Sequence, residues 1–310
     1  MKNKILVIGS MNYDLVVYAK RHPIPGETIL GDRFLTFPGG KGANQAIAAA
    51  RLGGDVQMVG RVGEDAFGQE LIDNLVKNQV EISHIQKVKE PTGTAFISVD
   101  AHGQNAIIVI PGANATLTTS DMDALKDTIQ AAKILVLQLE IPLDVVIRAI
   151  DIADALGTTI LLNPAPATQI PLETLRKVTY LIPNESELAQ LSGVETNTFS
   201  ACHQAVKHLQ SMGCQQIILT RGEHGAYYFD QENQIFAPPF NVPVIDSTAA
   251  GDAFIGGLAA ALAADIDIHT ALLRAGAAGA WAVTKIGAQT SLPNKTELEN
   301  FLKIHSSKTI

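Results

Sequence analysis

The chain has only two cysteines, Cys202 and Cys214, in 310 residues. Neither stands in a CxxC pair and no histidine lies at metal-ligand spacing from them. A disulfide framework and a structural zinc site are therefore excluded, and two reduced thiols in a cytoplasmic protein are expected. Positive charge is also scarce. The net charge of −8 argues against a general nucleic-acid binder, which needs clustered Lys and Arg to displace counterions, although a few local donors can still hold a phosphate. No stretch approaches the ~20 apolar residues of a membrane span. The run Ile5–Ile8 is too short for the apolar part of a signal peptide, and Asp14 follows soon after it. Two glycine patterns are missing as well. Gly9-Ser10-Met11-Asn12 lacks GxGxxG, which counts against a dinucleotide-dependent oxidoreductase. In the run at 39–42, Lys41 is followed by Gly42 rather than by Ser or Thr, so no Walker A loop is present.

What is there suits a large core: 46% of residues are hydrophobic and 17% charged, which excludes disorder as the default state. Two textures alternate. Segments 12–38 and 92–112 are β-rich, with turn signals at His22–Gly26 and a hairpin expected where Asp100–Gly103 separates Ala95–Val99 from Ala106–Ile110. Elsewhere apolar runs at Ile134–Leu139, Thr158–Leu162, Thr179–Ile182 and Gln216–Leu219 alternate with helical stretches at Leu143–Leu156, Leu172–Lys177, Glu185–Ser192 and Ala201–Met212, the last stopped by Gly213. That alternation predicts an α/β fold with a doubly wound, mostly parallel sheet flanked by helices. The β-rich segments flank the helical stretches 44–51 and 67–79. They therefore read as a small projecting β-sheet lid on a single domain spanning 1–310, rather than as a separate unit. The last ten residues are expected to fray. The four parallel runs lead into Glu140, Asn163, Asn184 and Thr220, and ligands of open parallel sheets bind at such carboxyl ends.

Two glycine loops carry the chemistry. In Pro38-Gly39-Gly40-Lys41-Gly42-Ala43-Asn44, three glycines let the backbone approach a ligand closely, ahead of a helix start with unpaired N–H groups. Lys41 adds a charge and Asn44 an amide able to bond two hydroxyls. A plain flexible turn is the alternative. In Asp246-Ser247-Thr248-Ala249-Ala250-Gly251-Asp252, small residues leave the first-turn amides of an apolar helix, Ala253–Ala263, uncovered. That makes an anion site suited to a transferred phosphoryl group. Asp252 at that helix start either complements the dipole or accepts a hydroxyl proton during attack on phosphorus.

At these loops the sequence resembles the ribokinase branch of the ribokinase-like carbohydrate kinases, and it does so over nearly the whole chain. The string Gly39–Ala46 looks like the first family signature and Asp246–Phe254 like the second. The resemblance implies an ATP-dependent kinase acting on the 5-hydroxyl of D-ribose, with Asp252 as base and the backbone of Ala249, Ala250 and Gly251 as anion hole. It implies sugar contacts from Asn12, Asp14, Gly40, Lys41, Asn44 and Glu140. It also implies nucleotide contacts from Asn184, Thr220, Gly222, Gly225, Gly251 and Gly276, and Glu187 on the waters of Mg²⁺. A K⁺ site is implied at Asp246, Thr248, Ala282, Lys285, Gly287 and Ser291, mostly through backbone carbonyls; a simple helix-ending turn is the alternative for 285–288. Departures stand at Ala253 and Ile255, where the second signature often has Thr and Asn, and at Gly276, where some relatives offer a side chain near the base. A homodimer through the lid, whose segments carry apolar residues such as Phe34, Phe37, Ile107 and Val109, is expected; the alternative is that the apolar lid covers the cleft. Rival functions are a sibling kinase for another pentose, deoxyribose, a hexose or a nucleoside, and a catalytically silent sugar- or nucleotide-binding regulator.

Overall fold

The computed structural model describes residues 3–306. Among the described residues thirteen strands form two sheets: β1 (Lys4–Ile8), β2 (Asn12–Tyr18), β3 (Arg33–Gly39), β4 (Asp55–Gly63), β5 (Glu81–Val88), β6 (Gly93–Val99), β7 (Asn105–Ile110), β8 (Ile134–Leu137), β9 (Thr159–Leu162), β10 (Tyr180–Leu181), β11 (Gln216–Thr220), β12 (Ala226–Phe229) and β13 (Gln234–Ala237). The large sheet has the order β13-β12-β11-β10-β9-β8-β1-β4-β5 and is parallel except where β12 and β13 pair antiparallel at one edge. From β1 the chain builds outward through β4 and β5, then returns to the other side of β1 with β8 and its successors. The strand order thus reverses between β1 and β8, which is where an open α/β sheet leaves a crevice for ligands.

The run Ile5-Leu6-Val7-Ile8 is continuous rather than alternating because β1 is covered on both faces. Ile5 and Val7 join the core layer built with Ile47, Leu52, Phe254 and Leu258. Leu6 and Ile8 join the opposite layer with Val145, Ile150, Leu188 and Leu209. Each such fully buried side chain stabilises the fold by roughly 1.5–3 kcal/mol. Local signals set the helix ends. The Leu143–Leu156 helix stops at Gly157 in the left-handed region, and the Glu185–Ser192 helix starts on a reciprocal Asn184–Glu187 capping box. Among the described residues no helix is long and apolar enough to cross a membrane, and both cysteines are buried free thiols.

The second sheet, β3-β2-β6-β7, comes from the two β-rich segments, and β6 and β7 form the expected hairpin. It joins the large sheet at two adjacent points: β1 passes into β2 through residues 9–11, and β3 runs through Gly40 into the Lys41–Arg51 helix. Val17, Phe34, Phe96, Ile108 and Ile110 share its outer face, where Ile108 is 68% exposed.

Several expected boundaries shift. The run predicted to reach Leu139 pairs only to Leu137, so Glu140 lies in the loop beyond the strand. The run 179–182 is reduced to the two residues of β10, and Asn184 makes an isolated bridge to Thr220. Residues 301–306, expected to fray, complete the Lys295–Ser306 helix, which buries Leu298 and Phe301, and 307–310 lie outside the described residues.

Candidate active site

The two glycine loops, some two hundred residues apart in sequence, meet at Asp252. Its carboxylate is 7% exposed in the first turn of the Ala250–Ala263 helix. Asn44 Nδ2 donates to Oδ2 at 2.9 Å and Gln45 Nε2 to Oδ1 at 2.9 Å. Both donors sit on the Lys41–Arg51 helix that follows Gly40. Ala249, at the N-cap, has φ 59, a left-handed conformation uncommon for alanine. The space over the helix start is open at Gly251, where a side chain would meet nothing within 4 Å, while Ala250 N donates to Ser247 O at 3.3 Å. The first-turn amides have no intrahelical acceptors.

The first loop needs its glycines for contact with the strand crossing. Gly40 has φ 87, and a Cβ there would lie 2.5 Å from the Asn12 nitrogen. A Cβ on Gly39 would strike the Asp14 carboxylate. Asp14 and Asn12 are thereby held beside the loop, with Asn12 also paired to Asn114, whose Nδ2 donates to Asn12 Oδ1 at 2.8 Å. Glu140, across the switch point, accepts from Ser10 Oγ at 2.6 Å, from the Lys41 backbone N at 3.1 Å and from Asn12 Nδ2 at 3.4 Å. Beside Glu140, under the edge of β7, lies a recess of about 340 Å³ lined in part by Val109, Pro111, Leu139 and Pro166.

Charge is concentrated here. Burial, reinforced by Glu140 and Asp252 and opposed by Lys41, raises the Asp14 carboxyl to about 7. Burial also acts to lower the Lys41 ammonium, but Asp252, Glu140, Glu187 and Asp14 together outweigh it and raise it. Glu187 is raised chiefly by burial and feels both Lys41 and Asp252. One lysine thus faces four carboxylates, an arrangement that strongly favours a hydroxyl-rich ligand or a bridging cation.

The remaining expected residues fall into two further groups. Asn184 and Thr220 are joined by their bridge at the ends of β10 and β11. The turn Gly222–Gly225 closes through Arg221 N donating to Gly225 O at 2.8 Å. Gly276 faces the ring of Phe240 on the Ile268–Ala282 helix, which packs against β12 and β13. Glu187 does not project freely: Asn184 N and Nδ2 donate to its two oxygens at 2.9 and 3.0 Å. At the second loop, Asp246 accepts from Thr248 N (2.9 Å), Thr248 Oγ1 (2.6 Å) and Gly287 N (2.9 Å), so it ties the 246–249 loop to the 284–287 turn. The Lys285 side chain lies over Trp281 and near Glu297. Ser291 turns its hydroxyl onto Ala288 O at 2.7 Å. Asn44 Oδ1 accepts from Gln289 at 2.9 Å and one N–H serves Asp252, so one N–H and the second lone pair of Oδ1 are left for a ligand.

Sequence reasoning passed over Ser10, Gln45, Asn114, Gln138 and Gln289. Gln45 follows Asn44 in the quoted loop, and Gln138 is a polar residue in an apolar run. Ser10, Asn114 and Gln289 give no local signal.

A family model described as pfkB family carbohydrate kinase matches residues 2–295. The chain belongs to the pfkB family of carbohydrate kinases. It is 38% identical to the ribokinase of Bacillus subtilis, covering 97% of this chain and all of that one. It is 36% identical to the deoxyribokinase of Salmonella typhi, covering 97% and 99%. It is also 38% identical to the bifunctional ribokinase/ribose-5-phosphate isomerase A of Fructilactobacillus sanfranciscensis, of which this chain spans only 56%. Among solved structures, the Arabidopsis thaliana ribokinase complexed with ribose and ATP superposes with a TM-score of 0.89 at 34% identity, covering 98% of this chain and 99% of that one.

Proposed function

We propose that this kinase moves the γ-phosphoryl group of ATP to the 5-hydroxyl of D-ribose, giving ribose 5-phosphate and ADP. One observation carries the reading: the Asp252 carboxylate stands in the first turn of its helix and is gripped by Asn44 and Gln45, which follow the glycine loop that borders Asn12 and Asp14. The sugar lies between that loop, Asn12, Asp14, Gly40, Lys41, Asn44 and Glu140, a polydentate set that suits a polyol. As the 5-oxygen attacks phosphorus, its proton passes to Asp252, the bond from phosphorus to the bridging oxygen breaks, and ADP leaves. The amides of Ala249, Ala250 and Gly251 receive the charge that builds on the phosphoryl oxygens.

ATP extends along Asn184, Thr220, Gly222 and Gly225 toward Gly276. Glu187, buried and oriented by Asn184, suits a carboxylate that holds Mg²⁺ through water; the ion neutralises phosphate charge when bound. Asp246, Thr248, Gly287 and the turn carbonyls of Ala282 and Lys285 suit a K⁺ ion that braces the anion-hole loop, with Ser291 at the edge of that group. The whole chain acts as one kinase unit. Its small sheet is a lid that excludes water over the sugar, and its apolar outer face pairs with a second copy in a cytoplasmic homodimer. The similarity to a deoxyribokinase makes 2-deoxyribose the rival substrate.

The test is ADP release with ribose and 2-deoxyribose at fixed ATP. Ribose should be preferred, and Asp252→Asn should lower turnover by roughly 10²–10⁴ while sugar binding survives. Full turnover in Asp252→Asn, or the same ATP hydrolysis with and without sugar, refutes the reading.

A further inference from the structure

Behind Asp252 a set of side-chain amides lies within the apolar interior, and two chains of them donate toward the carboxylate. From Oδ2, the chain runs back through Asn44 to Gln289, whose Nε2 donates to Asn44 Oδ1 at 2.9 Å, and then to Asn74, whose Nδ2 donates to Gln289 Oε1. Asn78 Nδ2 donates to the Asn74 backbone carbonyl at 2.7 Å and to Asn74 Oδ1 at 3.3 Å, and Arg51 Nε donates to Asn78 Oδ1 at 2.7 Å. From Oδ1, a shorter chain runs through Gln45 to Gln138, whose Nε2 donates to Gln45 Oε1 at 2.7 Å. The second N–H of Gln45 reaches Asn163 Oδ1 at 3.2 Å.

The direction of these bonds is dictated by chemistry. A carboxylate only accepts and a guanidinium only donates. The long chain is fixed at both ends, and turning any amide within it would set donor against donor or acceptor against acceptor. The short chain has no charged end, and its cost is visible: Gln138 Oε1 is fully buried and has no hydrogen-bond partner among the described residues. A buried carbonyl without a partner is unfavourable, and here it lets Gln45 turn both donors outward. Aligned bonds in a dry interior polarise one another.

We propose that Gln45, Gln289, Asn74 and Arg51 are positioning residues that hold the Asp252 carboxylate fixed in rotation through two converging amide chains, so that one lone pair is kept for the sugar hydroxyl. The inference rests on Asp252 acting as the base. A carboxylate gripped on both oxygens does not need to be ordered again when substrate arrives, and small displacements of such a group lower rates steeply.

The test uses two positions. Gln45→Met keeps the length and removes both donors; kcat should fall about 10- to 100-fold while KM for sugar and for ATP moves less than about twofold. Asn74 lies outside the cleft. Asn74→Leu interrupts the long chain, whereas Asn74→Asp reverses it, because the new carboxylate draws the Gln289 amide group toward itself. Asn74→Asp should therefore be slower than Asn74→Leu by several-fold at equal unfolding midpoint. A purely packing role would move the midpoint and leave this order unmarked. Wild-type kcat in Gln45→Met overturns the proposal, as does Asn74→Asp turning over as fast as Asn74→Leu; the Asn74 pair decides if Gln45→Met does not fold. Asp252→Asn is measured alongside. If it is inactive while the other variants are normal, only the positioning role fails. If it retains turnover, the base assignment itself fails.

Discussion

Asp14 is the group whose behaviour follows most directly from the geometry. It sits against the Gly39 backbone, near Glu140 and Asp252, and its carboxyl rises from 3.8 to about 7, chiefly through burial. Between those values the folded protein keeps a proton that the unfolded chain has released. Stability therefore falls as pH rises through that window and levels off above it. A rise of this size corresponds to about 2–4 kcal/mol at pH 8. Replacing Asp14 with Asn removes the ionisation and leaves the shape. Urea unfolding of the two proteins from pH 4 to pH 8 should start nearly equal, and the variant should become the more stable by about 2–4 kcal/mol at the alkaline end. Glu187, also raised by burial, contributes equally to both and cancels. Sugar binding should show the opposite trend: wild-type affinity should improve as pH rises toward 7 because the carboxylate accepts from hydroxyls, and the variant should bind weakly at every pH. Stability curves that stay parallel across the range would refute the reasoning.

The glycine loop, the cation loop and the lid each give a further test. Gly40→Ala places a Cβ 2.5 Å from the Asn12 nitrogen at φ 87, so it should cost about 2–4 kcal/mol in urea unfolding and abolish sugar binding; unchanged stability would mean the loop has room to move. Asp246→Ala releases the 246–249 loop from Gly287 and should lower kcat about tenfold while removing any stimulation by K⁺; assays with and without K⁺ that leave the variant's stimulation intact would exclude this loop as the cation site. Ile108→Lys places a charge on the exposed lid face, and sedimentation should show a dimeric wild type and a monomeric variant, whereas a monomeric wild type would end the dimer proposal.

The parallel body was legible because its signals are local. Four apolar runs spaced by helical stretches specify a doubly wound sheet, and Gly213 marks a helix end through chemistry that acts within a few residues; the caps at Asn184 and Gly157 were not singled out. The edge strands β12 and β13 were not read. Their tetrads are short, and Tyr228 and Phe229 pack on neighbours from distant segments. Likewise β4 and β5 carry Gln57, Arg61 and Lys87 amid their apolar residues, and such positions become strand only when β1 supplies a partner to β4 and β4 in turn to β5. Propensity was overridden there by pairing.

The site divides along the same line. Gly39–Asn44 and Ala249–Asp252 were legible because a backbone that must approach a ligand leaves a run of small residues, and such a run is visible without any partner. Gln289 and Asn114 were not. A lone polar residue in a sequence says nothing about whether it will be buried, and these two acquire meaning only when the chain brings Asn44 and Asn12 against them. Buried amides can persist in a core only when satisfied or when their expense serves another group. The Gln138 oxygen, buried and without a partner among the described residues, is a case of the second kind, because its Nε2 supports Gln45. Nothing about packing alone would favour glutamine over leucine at that position, directly after a strand whose residues are all aliphatic.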